Sequence, residues 1–261
     1  MIVFDIETGP LPEAELRRMM APEEPPFDPA TIKPFDPDSV KYGNTKDPVK
    51  RAEKLDEARR KHEDESANAE KNYEAKRAKD RAEYEAKFIE GAALNALTCR
   101  ILAIGYRPCG GKPIVKCGDG SHDSEKSILE HFWGIAARAS EGGLLVGHNS
   151  KNFDLPMIIR RSWLHGLSPS IPMMTQQRYW QPWIVDTMEI WQAGNRMDKF
   201  TSLDSLAKYF GIGEKTGSGA DFHKMFLSGD PALRQQAIDY AANDVELTFQ
   251  VAVRLGVLSG E

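Results

Sequence analysis

Residues 1–10 read MIVFDIETGP. Met1 to Ile6 has the Ile, Val and Phe content of a buried strand, yet the stretch carries Asp5 and then Glu7. Side chains two apart on a strand point to the same face of the sheet. Both acids therefore share one face. Two carboxylates a few ångströms apart repel, and a half-buried strand offers them little water, so they need a cation between them or must shift their pKa values.

The rest of the composition narrows which cation and which chemistry. The chain has 261 residues and 41% hydrophobic content, enough for a sizeable core. A net charge of -5 argues against a protein that coats nucleic acid through wide positive surfaces, so a phosphate partner must be met in a local groove. Three cysteines (Cys99, Cys109, Cys117) are an odd number, no signal-like segment opens the chain, and no apolar run nears the membrane-spanning length of about 20 residues. The expectation is a reducing, cytoplasmic setting with no membrane association. Cys109, Cys117 and His122 match no zinc spacing, and the thiols read as free and structural.

Pro10 to Pro48 is rich in proline and acidic residues and reads as an extended connection. From Pro48 to Glu90 the composition switches to Ala, Glu, Lys and Arg, the signal of one long helix. Its apolar positions (Leu55, Tyr73, Tyr84, Phe88) are too sparse for a coiled-coil seam, and Ser66–Ala69 is the one place where it could turn. Residues 10–98 thus read as a Pro-rich and charged helical insertion within a single domain spanning 1–261. It is either an arm that grips substrate or a protein partner, or a solvated charged helix. Strand RILAIGY after Cys99 pairs with KPIVKCG across Gly110-Gly111, and SEKSILEHFWGIAARAS follows as an amphipathic helix capped by Asp123 or Ser124. GGLLVGHN is a short buried strand, LPMIIRRSWLHG a helix closed by Gly166, PWIVDTMEI a strand, and SLDSLAKYFG a helix capped by Thr201 or Ser202. A Gly-rich loop covers Gly211–Gly219, and Asp230-Pro231 starts a final helix running to about Leu255. Strands and helices alternating after an antiparallel start give an α/β protein with a mixed central sheet flanked by helices.

Two further acids stand where acids need a reason. GHNSKNFDLP places Asp154 just past a buried strand at the start of a helix, and DYAAND places Tyr240 and Asp244 four apart on one helix face. Each alone reads equally as a cap or a chance pair. The ordered set does not: D-x-E on a first strand, N-x-x-x-F-D after a later strand and Y-x-x-x-D in a late helix. In that set the sequence resembles the tyrosine branch of the four-carboxylate (DEDD) 3'-5' exonucleases, and is similar in motif to the proofreading domains of family B DNA polymerases. The histidine branch would have His five residues before Asp244, where this chain has Asp239.

The resemblance covers the first strand and about Cys99 to Leu255. It implies a ribonuclease H-like fold with a helical insertion after the first strand, and a stand-alone nuclease of microbial or phage type. It implies that Asp5, Glu7, Asp154 and Asp244 bind two Mg²⁺ or Mn²⁺ ions and that Tyr240 orients the attacking water. Hard carboxylate oxygens suit those ions, and a paired-ion site assists both attacking and leaving oxygens of a phosphodiester. Thr8, Gly9, Asn149 and Phe153 are candidate contacts to the terminal nucleotide, and Arg160, Arg161 and Lys215 candidate contacts to phosphate. His148 reads as structural. The implied substrate is nucleic acid with a free 3' end, single-stranded DNA first and RNA as the alternative. A non-catalytic nucleic-acid-binding module and an interaction protein built on the charged helix are the rival classes.

Overall fold

The computed structural model describes residues 1–169, 171–174, 179–195 and 200–259. It divides into two compact units, Met1–Arg17 with Gly91–Glu261, and Arg18–Glu90.

In the first unit the elements are β1 (Ile2–Pro10), α1 (Glu13–Met19), β2 (Cys99–Pro108), β3 (Ile114–Cys117), α3 (His122–Ser140), β4 (Leu145–Gly147), α4 (Asp154–Leu164), β5 (Ile184–Asp186), α5 (Thr187–Gln192), α6 (Leu203–Phe210), α7 (Gly219–Phe226) and α8 (Pro231–Arg254); α2 (Pro48–Gly91) lies almost wholly in the second unit. The strands form one sheet in the order β3-β2-β1-β4-β5, with β1–β2 and β2–β3 antiparallel and β1–β4 and β4–β5 parallel. This is the mixed sheet that the sequence pattern requires. β1 is its central strand.

The period-2 alternation of β1 decides what each face meets. Ile2, Phe4 and Ile6 pack into a core with Ile128, Phe132 and Ile158 of α3 and α4. Val3, on the opposite face, packs with Val146 of β4 and with Val245 and Phe249 of α8. Asp5 and Glu7 follow Val3 in that alternation and so face the α8 side. Close approach of α8 is made possible by Gly105, which pairs with Asp5 in the sheet. A Cβ there would lie 2.7 Å from Val245 Cγ2 and 3.2 Å from the Ala241 carbonyl oxygen. Alanine at Gly105 would push away the helix that carries Tyr240 and Asp244.

Several readings change. PWIVDTMEI is a strand only over Ile184–Asp186, because Asp186 accepts from the Met188 amide as an N-cap and starts α5. The Pro-rich segment holds the short helix α1, which begins after Pro12 and buries Leu16. Helix α7, capped by Ser218, arises directly out of the glycine loop. The cap of α3 is Ser121, whose side chain accepts from the Ser124 amide. Helix α6 takes Ser202 as its cap, and α8 begins at Pro231 after the Asp230 cap. The three cysteines are free.

A buried ion network ties α3 and α4 to β2. Glu125 accepts from the Ile101 amide at 2.8 Å, from Arg161 Nε and Nη2 at 2.8 and 2.7 Å, and is paired with His165 Nε2 at 2.9 Å. Burial by itself would raise the Glu125 carboxyl, but Arg161 and the Ile101 amide hold it below its usual range. Glu125→Ala strands the Arg161 guanidinium in the interior, and we expect a loss of about 3–5 kcal/mol in urea unfolding. A loss under about 1 kcal/mol, the level of an exposed pair, would contradict the network's role.

In the second unit, α2 is one continuous 44-residue helix through Ser66–Ala69, with no buried residue. The Pro-rich chain runs along it as a strap. Tyr73 Oη donates to the Pro25 carbonyl at 3.0 Å, Arg77 Nε to Glu24 at 2.8 Å and Arg81 Nη1 to Ala21 at 2.7 Å, while the Phe27 ring packs on Tyr73. The sparse aromatic positions of the helix therefore hold its own strap rather than a second helix.

Candidate active site

β4 pairs only with Ile2 and Val3, so β1 from Phe4 onward runs past the end of its parallel neighbour. A crevice beyond the carboxyl end of a parallel strand is where open α/β sheets take ligands. Here a cavity of about 570 Å³ opens, and its lining includes Asp5, Glu7, Asp154, Tyr240 and Asp244. One carboxylate oxygen from each of Asp5, Glu7 and Asp244 lies within 4.8 Å of the others. Asp154 stands apart from that trio and accepts from the Ile6 amide at 3.1 Å, where β4 no longer covers β1.

Three elements converge to make this. β1 supplies Asp5 and Glu7, with a register shift against β2 just after Glu7; such irregularities re-aim side chains beside functional sites. α4 supplies Asp154 at its first residue. The turn before it is held by Asp186, whose two oxygens accept from the amides of Asn149 (2.8 Å) and Lys151 (3.0 Å). Asn149 there adopts φ 56°, a left-handed conformation that Asn tolerates. α8 supplies Tyr240 and Asp244, one turn apart.

The electrostatics are those of acids crowded out of water. Burial first, and the Asp244 charge next, push the Asp5 carboxyl from the usual 3.8 up to about 7. Glu7 and Asp154 are held well above the carboxylate range by burial and then by Asp5. Burial also raises Asp244, against the pull of Lys215. Tyr240 is pushed upward by burial and then by Asp244, so its phenol keeps its proton. A compensating charge in the cluster is Lys215, whose Nζ lies 2.5 Å from Asp244 Oδ2 and 3.1 Å from Tyr240 Oη. Its burial opposes the charge, yet Asp244, Asp5 and Glu7 raise its pKa. The loop behind it passes so near Tyr240 that a Cβ on Gly217 would stand 3.2 Å from the ring.

The donor set fits divalent cations. Asp244 Oδ1 is buried with no hydrogen-bond partner among the described residues, a costly arrangement that a cation relieves. The stability consequence has a definite sign. Carboxyls whose folded pKa lies above the unfolded value contribute stability that is full below about pH 4 and is lost as pH rises through about 7. The metal-free protein is therefore expected to melt lower at pH 8 than at pH 5. Mg²⁺ or Mn²⁺ at 100 times its Kd should restore about 2.7 kcal/mol at pH 8, a rise of about 5–10 °C, with a smaller rise at pH 5. Differential scanning calorimetry checks this; equal metal effects at both pH values would contradict it.

The remaining sequence candidates have mixed placements. Thr8, Asn149 and Phe153 line the cavity. The Thr8 hydroxyl, however, donates to the Ala93 carbonyl at 2.7 Å, so its proton is spent within the protein. Gly9 lies outside the lining; a Cβ there would strike Leu102 and His223 at 2.7 and 2.8 Å, and packing alone accounts for the glycine. Arg161 is buried on Glu125 and is not a phosphate contact, whereas Arg160 is exposed. His148 is structural, with its ring nitrogens on Thr187 Oγ1 and the Thr201 carbonyl. Sequence reasoning missed Asp186, although a short aspartate-ended strand before Thr-Met-Glu is a cap signal. Lys215, a candidate phosphate contact, is brought onto Asp244 and Tyr240, an orientation that a glycine loop without periodicity does not foretell.

The family model described as a predicted 3'-5' exonuclease related to the exonuclease domain of PolB matches residues 94–261. No curated protein matches the chain. Among solved structures, the family B DNA polymerase from the hyperthermophilic archaeon Pyrobaculum calidifontis is similar, with a TM-score of 0.52 and 20% identity. The match covers 64% of this chain and 23% of the polymerase, so the chain spans under a quarter of that protein's length. At this identity the likeness establishes the fold, an α/β ribonuclease H-like exonuclease fold.

Proposed function

Since the chain belongs to the family of predicted 3'-5' exonucleases related to the exonuclease domain of PolB, we propose that it removes nucleotides from the 3' end of single-stranded DNA as nucleoside 5'-monophosphates. The observation that carries this reading is the carboxylate trio Asp5, Glu7 and Asp244, the first half-buried and the other two buried, which shares one cavity with Asp154 and Tyr240. Magnesium or manganese ions, two in number, would be held by Asp5, Glu7, Asp154 and Asp244. Such ions, when bound, neutralise charge on the phosphoryl oxygens and make water a better nucleophile.

The chain's own groups do the positioning. Tyr240, kept protonated by burial, donates its hydroxyl proton and aims the attacking water; a phenol this resistant to ionisation is no general base. That is the division of labour of the tyrosine branch. Lys215, already protonated beside Asp244, is placed to meet a nonbridging oxygen of the scissile phosphate. Asn149 and Phe153 contact the terminal nucleotide from the turn before α4.

Residues 1–261 act in this reading as one exonuclease domain with residues 10–98 inserted, the inserted helix being the surface for any protein partner. No helix among the described residues is long and apolar enough to cross a membrane, and the proposed setting is the cytoplasm.

Matched single-stranded DNA and RNA oligonucleotides, each in Mg²⁺ and in Mn²⁺, test the substrate. Faster release of deoxynucleoside monophosphates supports the reading, and faster release from RNA moves the same chemistry to an exoribonuclease. Tight binding of both polymers without release would make the protein a nucleic-acid-binding module instead.

A further inference from the structure

The ion network between α3 and α4 leaves one nitrogen unused. The His165 side chain is 0% exposed, and its Nε2 is 2.9 Å from Glu125 Oε2. Glu125 also accepts from Arg161 and the Ile101 amide, which keep it ionised against the cost of its burial. An ionised carboxylate only accepts, so the hydrogen of the His165–Glu125 contact sits on Nε2. In the neutral ring Nδ1 is then a bare lone pair, and it is buried with no hydrogen-bond partner among the described residues. A buried acceptor left in that state carries a desolvation cost that a bound ligand offsets.

A second imidazole stands against the same ring. His122 opens α3 and His165 caps the carboxyl end of α4, and their ring centroids are 4.1 Å apart. The His122 side chain is 67% exposed, and its Nδ1 lies 3.6 Å from Asp123 Oδ1, too far for a hydrogen bond. It can therefore turn without breaking one. His165 cannot, because Glu125 holds its far nitrogen; a carboxylate on the far N–H is what fixes the tautomer and orientation of a metal-ligating histidine. The surrounding charges suit a cation as well. Arg161 on Glu125, and Arg100 on the Gly120 carbonyl, are outnumbered by Glu125, Asp123 and Asp119, the last accepting from the Ser121 amide at 2.8 Å.

We propose that His122 and His165 form a Zn²⁺ site that staples the start of α3 to the end of α4. Neither histidine lines the carboxylate cavity. Imidazole nitrogen suits zinc, whereas Mg²⁺ keeps to oxygen ligands, so the two sites take different metals. Water completes the coordination, and Glu125 acts through His165 by holding Nδ1 toward the ion. His122 shows no zinc spacing in the sequence because its partner belongs to another helix. α4 begins at Asp154, so a staple at its far end steadies the helix that carries one of the cavity's acids. The site stands independently of the exonuclease reading.

The test uses the untagged full chain in excess Mg²⁺ and in an Asp5→Asn background, which together keep zinc off the carboxylates. Calorimetric titration should show about one equivalent of Zn²⁺ bound. Zinc at 100 times its Kd should raise the melting temperature by about 5–10 °C. His122→Ala should leave the zinc-free melting temperature unchanged, since the ring is exposed, and should weaken zinc at least about ten-fold, the least that loss of even an outer-shell partner costs. His122→Cys keeps a zinc ligand and should restore tight binding. The ¹⁵N resonance of His165 Nδ1 should move on addition of zinc, and should stay in place in His122→Ala at the same zinc concentration. Zinc affinity unchanged in His122→Ala, or no zinc held in the Asp5→Asn background, overturns the site.

Discussion

Asp5→Asn is expected to abolish nucleotide release while making the metal-free protein more stable at pH 8. The two effects have one cause. Asp5 sits on the central strand with burial and Asp244 pushing its carboxyl up to about 7, so at pH 8 the folded state must carry an ionised acid that it disfavours. The amide keeps the shape and removes the charge. Stability at pH 8 should rise by an amount on the order of 1–3 kcal/mol, and the gain should vanish near pH 4, where folded and unfolded chains both hold the proton. The lost carboxylate was also a ligand, and metal-assisted phosphodiester hydrolysis draws several kcal/mol from its ions, so kcat/KM should fall about 10³–10⁵-fold. Urea unfolding at pH 4 and pH 8, beside a release assay, reads both. A variant that is inactive and less stable at pH 8 would mean that Asp5 holds the fold together rather than holding a cation.

Tyr240→Phe carries the second large effect. The ring packs beneath Gly217, and phenylalanine preserves that contact, so stability should change little. The hydroxyl is different: it meets Lys215 Nζ at 3.1 Å and, with its proton retained, can donate to a water above the acids. Loss of one aligned donor at the reacting centre costs about 10²–10³-fold. We expect kcat to fall by that factor with KM and the metal-induced rise in melting temperature unchanged. A kcat within about two-fold of wild type would remove Tyr240 from the chemistry and leave it a packing residue.

The fold and its site were legible in the sequence to different depths. β1 could be read because an apolar strand with two acids on one face has few solutions, and α8 because a Pro-led, capped, long amphipathic pattern is unambiguous. α5 and α7 were not: the 6 residues of α5 continue straight out of a strand whose apolar pattern runs into them, and α7 starts at Gly219, where a glycine-rich loop masks its onset. The acids were visible as an ordered set, but nothing local shows that Gly105 is the residue that lets α8 approach them; that follows only from the pairing of Gly105 with Asp5. Glu125, Arg161 and His165 each resembled ordinary polar positions on amphipathic helices, and only their convergence on β2 shows them as one buried network. Lys215 was visible as a candidate phosphate contact, but its direction onto the acids was not, because a residue in a glycine loop is oriented by tertiary contacts, here its backbone amide on Asp204 Oδ1 at 3.0 Å.

Polarity of degradation separates a 3'-5' exonuclease from every other phosphodiesterase that four carboxylates could serve. A single-stranded DNA oligonucleotide labelled at its 5' end, and the same strand with a 3'-terminal phosphate, would be incubated with the protein in Mg²⁺ and in EDTA, beside Asp5→Asn. A ladder that shortens one nucleotide at a time from the 3' end is expected in Mg²⁺, absent in EDTA and in Asp5→Asn, and slowed by the blocked terminus. Release of the labelled 5' nucleotide first, or a ladder undiminished in Asp5→Asn, would contradict it.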